Sequence, residues 1–266
     1  MVTRNGGCCM IAGLKRQQIN KIRQALRLWY GRPVGKWLLQ QERERLSEVL
    51  PTLFGYHIVQ MGSLLGDELL TSSRIPHRVL IDPDRGCGVS PLGLYAYPDA
   101  IPIAADSVDV VVLHHTLEFE RDPHQILREV DRILIPEGHV VILGFNPWSL
   151  WGLWRLARGR KGDTPWCGDF LSPSRVKDWM ALLGFDVAEV KHHFFRPPLK
   201  NRLLMRRLRF MERLGQRFWP GLSGAYLLVA QKRVTTVTPI KPRWQPRRRL
   251  LGELARPTTR STQCRK

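Results

Sequence analysis

Cysteine is scarce in this chain of 266 residues: there are five, an odd number, and no C-x-x-C pair among them. That argues against a disulfide framework and against a zinc site, and no metal is expected. No apolar run approaches the roughly 18 residues of a membrane span. The apolar opening from Gly6 to Leu14 is short, and its basic residues follow the apolar part, the reverse of a secretory signal. A G-x-G-x-x-G turn is also missing, which counts against a nicotinamide-dependent dehydrogenase. These absences point to a protein of the reducing cytoplasm held by packing alone. An apolar content of 43% is enough for one sizeable core plus extensions.

Acidic residues are almost missing from the two ends. Residues 1–36 hold eight Lys or Arg and no acid, and residues 232–266 hold eleven and one. The net charge of +19 therefore sits almost wholly in the ends, and the stretch between them is close to neutral. Basic arms of this kind track RNA phosphates or anionic membrane surfaces, or act as solvated tails. The division expected is a basic extension over 1–36, a folded domain over 37–231, and a Pro- and Arg-rich, disordered tail over 232–266.

What the chain does have is a central unit from Ile101 to Phe145. Val108 to Leu113 is β-branched and almost wholly apolar, as suits a strand buried on both faces. Asp122 and Pro123 open a helix whose stripe is Ile126, Leu127, Val130, Ile133 and Leu134, and Pro136-Glu137-Gly138 reads as its stop. Val140 to Phe145 is a second strand. This β-α-β crossover is the building block of doubly wound α/β sheets. Further strands are expected at Tyr56–Met61, Arg78–Asp82, Gly93–Tyr97, Phe185–Lys191 and Gly224–Gln231, and helices over Trp37–Leu50, from Pro173 to Leu183 and over Leu199–Trp219; within the basic extension Ile19, Ile22, Leu26 and Trp29 are also spaced for a helix, whose partner the sequence does not name.

The central unit also carries five ordered elements: Ile101-Pro102-Ile103, Asp106-Ser107-Val108-Asp109, Leu117-Glu118-Phe119, Asp122-Pro123 and Leu134-Ile135-Pro136-Glu137-Gly138. In order and spacing they resemble the small class I methyltransferases that use S-adenosyl-L-methionine. Phe119 stands where that family usually has histidine, and Glu137 where it has its first glycine. The resemblance implies a mostly parallel, seven-stranded sheet with an antiparallel last strand. Only about ten residues separate the second and third strands, so a truncated edge is expected.

The same resemblance implies the site. Gly62, with Gly66 as a later candidate, stands for the glycine-rich loop against the cofactor, although Gln60 replaces the usual acid before it. Asp82 at the end of the second strand is the candidate for the ribose hydroxyls, with Asp84 as runner-up. Asp99 and Ala100 are candidates for the adenine. His114 and His115, at the end of the central strand, fall beside the methionine end of the cofactor and are the candidates for handling the acceptor, and a neutral histidine there would accept a proton near pH 7. Glu118 matches the family as a packing or capping residue. Trp148, Trp151 and Trp154, followed by Arg155, Arg158, Arg160 and Lys161, suggest an aromatic and basic flap that covers the acceptor, stacks on bases or sits at a membrane surface or, equally, a packed lid helix. The function expected is methyl transfer to an acceptor that the sequence leaves open. The competing reading is a non-catalytic binding module of the same fold, suggested by the thin glycine loop.

Overall fold

The computed structural model describes residues 16–62, 69–83, 93–158, 164–197, 208 and 210–234. Contacts divide the chain at Val234, so the basic tail from Thr235 onward forms a separate unit outside the described residues.

The central strand β4 (Val108–His114) shows why the sheet takes two layers of helices. Alternate side chains of a strand point to opposite faces. Val110 and Val112 join one core cluster and Val111 and Leu113 the other, all four with no exposure. The first cluster is closed by α1 (Arg16–Tyr30) and α2 (Pro33–Val49). The second is closed by α3 (Pro123–Ile133) and α5 (Pro173–Leu182), which contribute Ile126, Val130, Val176 and Met180.

Around β4 the sheet adds β1 (His57–Met61), β2 (His77–Ile81) and a two-residue edge β3 (Gly93–Leu94) on one side. On the other side lie β5 (Leu134–Phe145), β7 (Ala225–Lys232) and β6 (Phe185–His193). The order is β3-β2-β1-β4-β5-β7-β6. The first five strands are parallel, and β7 runs antiparallel to both of its neighbours. The seven-stranded sheet, its short edge and its antiparallel insertion are as expected.

Local chemistry sets the elements. Asp122 caps α3, accepting from the His124 and Gln125 N–H groups at 3.0 and 3.1 Å, and Pro123 occupies the first helical position. One boundary differs from expectation. The chain leaves the helix at Leu134, whose extended backbone already pairs with Val108, and Pro136-Glu137-Gly138 is a kink inside β5 rather than a helix stop. Glu137 has φ +63°, the left-handed conformation that glycine adopts without cost, which accounts for the glycine usual at this place in the resembling family.

The N-terminal region also differs. Composition reads residues 1–36 as a flexible basic arm holding one helix without a known partner; that helix is α1, and its Ile19, Leu26, Trp29 and Tyr30 are buried in the core. Pro33 then starts α2 after a two-residue link. Residues 16–36 therefore belong to the folded body. Two further helices complete the description: α4 (Leu150–Arg158), which follows β5, and α6 (Phe210–Phe218), which leads through a 3₁₀ turn at Pro220–Leu222 into β7.

Candidate functional site

The parallel strands β1, β2 and β4 end at one edge of the sheet, where open α/β folds place their ligands. Gly62 follows β1 with φ +82°. A Cβ there would lie 2.4 Å from the His114 carbonyl oxygen and 2.8 Å from Thr116 Oγ1, so glycine is required by the close approach of the ends of β1 and β4. Thr116 fastens the same junction by donating to the Met61 carbonyl at 3.0 Å. Gly66 and Asp84 lie outside the described residues.

Asp82 comes just after β2 and is buried. Its carboxylate is held by the Arg27 guanidinium of α1. Asp99 and Ala100 sit in a turn closed by the Ala100 N–H on the Tyr97 carbonyl, 3.1 Å. One Asp99 oxygen pairs with Arg16 at 3.3 Å, and the other, Oδ1, is buried and has no partner. A third acid, Glu120, is paired with Arg23, and burial pushes its carboxyl upward against the pull of that arginine. Arg16, Arg23 and Arg27 are spaced by seven and four, which puts them on one face of α1. This helix therefore runs along the strand ends and lays one arginine on each of three acids.

Beneath α1 and α2, the two candidate histidines enter a closed network. His114 and His115 are buried, and His115 has φ +46°, so the chain turns sharply as it leaves β4. Glu42 of α2 reaches between them, with Oε2 3.0 Å from His114 Nε2 and Oε1 2.7 Å from His115 Nε2. The Tyr30 hydroxyl donates to Glu42 at 3.2 Å. Glu118 Oε1 lies 3.3 Å from His115 Nδ1 and accepts the Phe145 N–H at 2.7 Å, which secures the end of β5.

Burial opposes charge on His115, but the Glu42 and Glu118 carboxylates outweigh it and raise the imidazole to about 9. Burial likewise opposes the Glu42 carboxylate, yet the two histidines hold it well below the usual range. At neutral pH His115 is thus an imidazolium clamped between two carboxylates, not the neutral base that its position suggests. His114 keeps Nδ1 without a partner. His193, at the end of β6, is buried with both nitrogens unpartnered, and burial pulls it down to about 4.

The donor atoms of Glu42, His114 and His115 lie within 4.8 Å of one another, a grouping whose composition would suit a metal ion. Each donor is already engaged with another of the three, so an ion would have to displace two hydrogen bonds and the His115 proton.

The three tryptophans after β5 have different positions. Trp151 is buried, stacks on Phe145 and donates its indole N–H to the Arg196 carbonyl at 2.8 Å. Trp154 packs partly buried against the core, and only Trp148 stands in solvent. Spacing by three along a helix carries successive residues around its axis, so the segment is a packed helix with one outlying ring.

Residues 94–142 match a methyltransferase domain family. The Escherichia coli K12 protein YafS, described as uncharacterized, is 31% identical over 90% of this chain and 92% of its own length. A methyltransferase of Thermotoga maritima that depends on S-adenosylmethionine shares the fold, with a TM-score of 0.55 and 17% identity over 79% of this chain and 99% of its own. The chain belongs to the class I S-adenosylmethionine-dependent methyltransferase family. S-adenosylmethionine is the cofactor this family uses. The [4+2]-cyclase SpnF has the same fold at a TM-score of 0.52 and 15% identity over 73% of this chain and 80% of its own. The fold alone thus does not decide the reaction.

Several residues of the site were not anticipated from sequence: Glu42, Tyr30, Arg23, Arg27, Glu120 and His193. Glu42 stands three residues after Leu39 and four before Leu46, so helical spacing puts it on the apolar stripe of α2. The arginines had a detectable signal in their helical spacing within a stretch free of acids. The signal for Glu42 was an acid inside an apolar stripe, which calls for buried partners.

Proposed function

We propose that the protein transfers the methyl group of S-adenosylmethionine to an acceptor held at the carboxyl edge of the sheet. The observation that carries this reading is the set of acids at the ends of β2 and β3. Asp82 is buried and charge-paired at the place of a ribose-binding acid, and Asp99 Oδ1 is buried without a partner two strands from the Gly62 turn. These groups suit a polyhydroxylated, nitrogen-rich ligand. Asp82 would hold the ribose, Asp99 and Ala100 the adenine, and the tight turn at Gly62 would keep the β1 end close to the ligand.

When bound, S-adenosylmethionine supplies a methyl group activated by its sulfonium. The protein's part is alignment and exclusion of water. His115, as a fixed imidazolium, orients groups and does not remove a proton. His114 Nδ1 is the free nitrogen of the pair, available to orient an acceptor.

A second reading, a binding module of this fold without catalysis, is favoured by the Arg27–Asp82 pair, because it satisfies the ribose acid from within the protein. Calorimetry of the full chain with S-adenosylmethionine and its demethylated product separates the two. Saturable heat that Asp82→Ala weakens supports the cofactor site. No heat from either ligand with a folded chain would assign the fold to binding alone.

A further inference from the structure

An amphipathic helix on a protein surface ordinarily turns its apolar stripe inward. Helix α4 does this with Trp151, yet its outer side is apolar too: Leu150, Leu153 and Leu156 are 42, 62 and 80% exposed. Trp148, just before the helix, is 71% exposed. At the end of α6 and in the following turn, Phe218, Trp219 and Leu222 are 60, 58 and 53% exposed. That turn is tied to the segment before α4, since the Asn146 side-chain amide donates to the Gly221 carbonyl at 2.7 Å. An open cavity of about 570 Å³ lies against α4, its wall including Pro147, Trp148, Leu153 and Leu156 and, from the turn, Leu222. A contiguous exposed apolar patch with aromatic members marks an interaction surface.

Charge identifies the partner. In the sequence, the stretches 148–161 and 199–219, within which most of these exposed residues fall, together hold eleven Lys or Arg and one acid, Glu212. The rest of the 37–231 stretch has an excess of acids, because the whole of it is nearly neutral. Exposed rings and leucines in stretches of sequence this rich in arginine have the composition of an interfacial element. The rings and leucines would enter the boundary of head groups and acyl chains, and the net positive charge of the two stretches would draw them to the phosphates. RNA would be served by exposed aromatic faces and arginines, but it has no use for three outward leucines and an apolar cavity. We propose that this face of α4 and α6 docks the protein on an anionic lipid bilayer. The orientation brings the carboxyl end of β5, from which α4 departs, to the membrane surface. The proposal rests on exposure and charge and does not depend on methyl transfer.

The test is sedimentation of the full chain with vesicles of phosphatidylcholine alone and of phosphatidylcholine with roughly 30% phosphatidylglycerol, at low and at physiological salt. Binding is expected on the anionic vesicles only. The double variant Leu153→Asp, Leu156→Asp, at two exposed positions, is expected to lower it at least about tenfold with an unchanged melting temperature. Three results would overturn the proposal. Anionic-vesicle binding untouched by the double variant would leave only electrostatic attraction through the basic ends. Retention on single-stranded polyuridine that the same variant abolishes, without vesicle binding, would make the face a nucleic-acid surface. A dimer in the ultracentrifuge that the variant dissolves, again without vesicle binding, would make it a contact with a second copy.

Discussion

Helices α1 and α4 both combine arginine, leucine and tryptophan, and both lie beside the carboxyl edge of the sheet, yet their surroundings treat them in opposite ways. In α1 the apolar stripe is in the core and Arg16, Arg23 and Arg27 each have a carboxylate. In α4 the inward stripe is satisfied, but Leu153 and Leu156 face solvent, and Arg155 holds Asp169 at 3.0 Å. The difference lies in what the strands present. The loops after β2, β3 and β4 end in acids, so a basic helix laid over them is neutralised in place. The segment after β5 is Asn146-Pro147-Trp148, which offers no carboxylate. The lesson is that a basic, apolar helix becomes part of the body where acids await it, and remains an open surface where they do not.

The contrast is tested most severely at Trp151 and Glu42. Trp151→Ala removes a buried ring and its hydrogen bond to the Arg196 carbonyl, and should cost about 3–5 kcal/mol in urea unfolding. On the α1 side, Glu42→Ala leaves the His115 imidazolium buried without its stronger partner. A loss of about 3–5 kcal/mol is expected.

That network also gives a pH dependence. His115 stands at about 9 in the folded chain against 6.5 when unperturbed. It binds its proton more tightly when folded, so its contribution is complete below about pH 6.5 and is lost as pH rises through about 9. Unfolding free energy should fall across that window by up to about 3 kcal/mol in the wild type. In Glu42→Gln, which keeps an acceptor but removes the charge, the profile should be much flatter. An equally steep decline in that variant would assign it to other groups.

The next effects concern the cofactor. Asp82→Ala should weaken S-adenosylmethionine binding by roughly ten- to a hundredfold, from the loss of a charge-assisted contact of about 1.5–3 kcal/mol. Arg27→Ala breaks the same ion pair from the other side and should tighten binding by roughly three- to tenfold, because the ribose no longer competes with a guanidinium. Opposite signs from the two halves of one pair would establish that α1 competes for the site. Weakening by both would make Arg27 part of the binding surface. The smallest change is expected at Trp148→Ala, which should alter stability by no more than about 0.5 kcal/mol, since its ring is already in water.

Much of this molecule was legible before folding was considered. The β-branched run at β4, the Asp122-Pro123 helix start and the glycine turn at Gly62 are local signals, set by backbone sterics and capping within a few residues, and they recur where the sequence places them. The family elements extended this to the strand order, since spacing along a β-α-β unit constrains neighbours in the sheet. What sequence could not express was pairing over long separations. Spacing from Leu39 and Leu46 turns Glu42 inward, but nothing local names its histidine partners, which lie more than seventy residues away. The helix of residues 16–30 was legible from Ile19, Ile22 and Leu26, but its place was not, because the acids that receive Arg16, Arg23 and Arg27 come from three separate loops. The charge of His115 belongs to tertiary structure as well. Its residue type allows either state near neutral pH, and only the burial of Glu42 and Glu118 beside it decides for the proton.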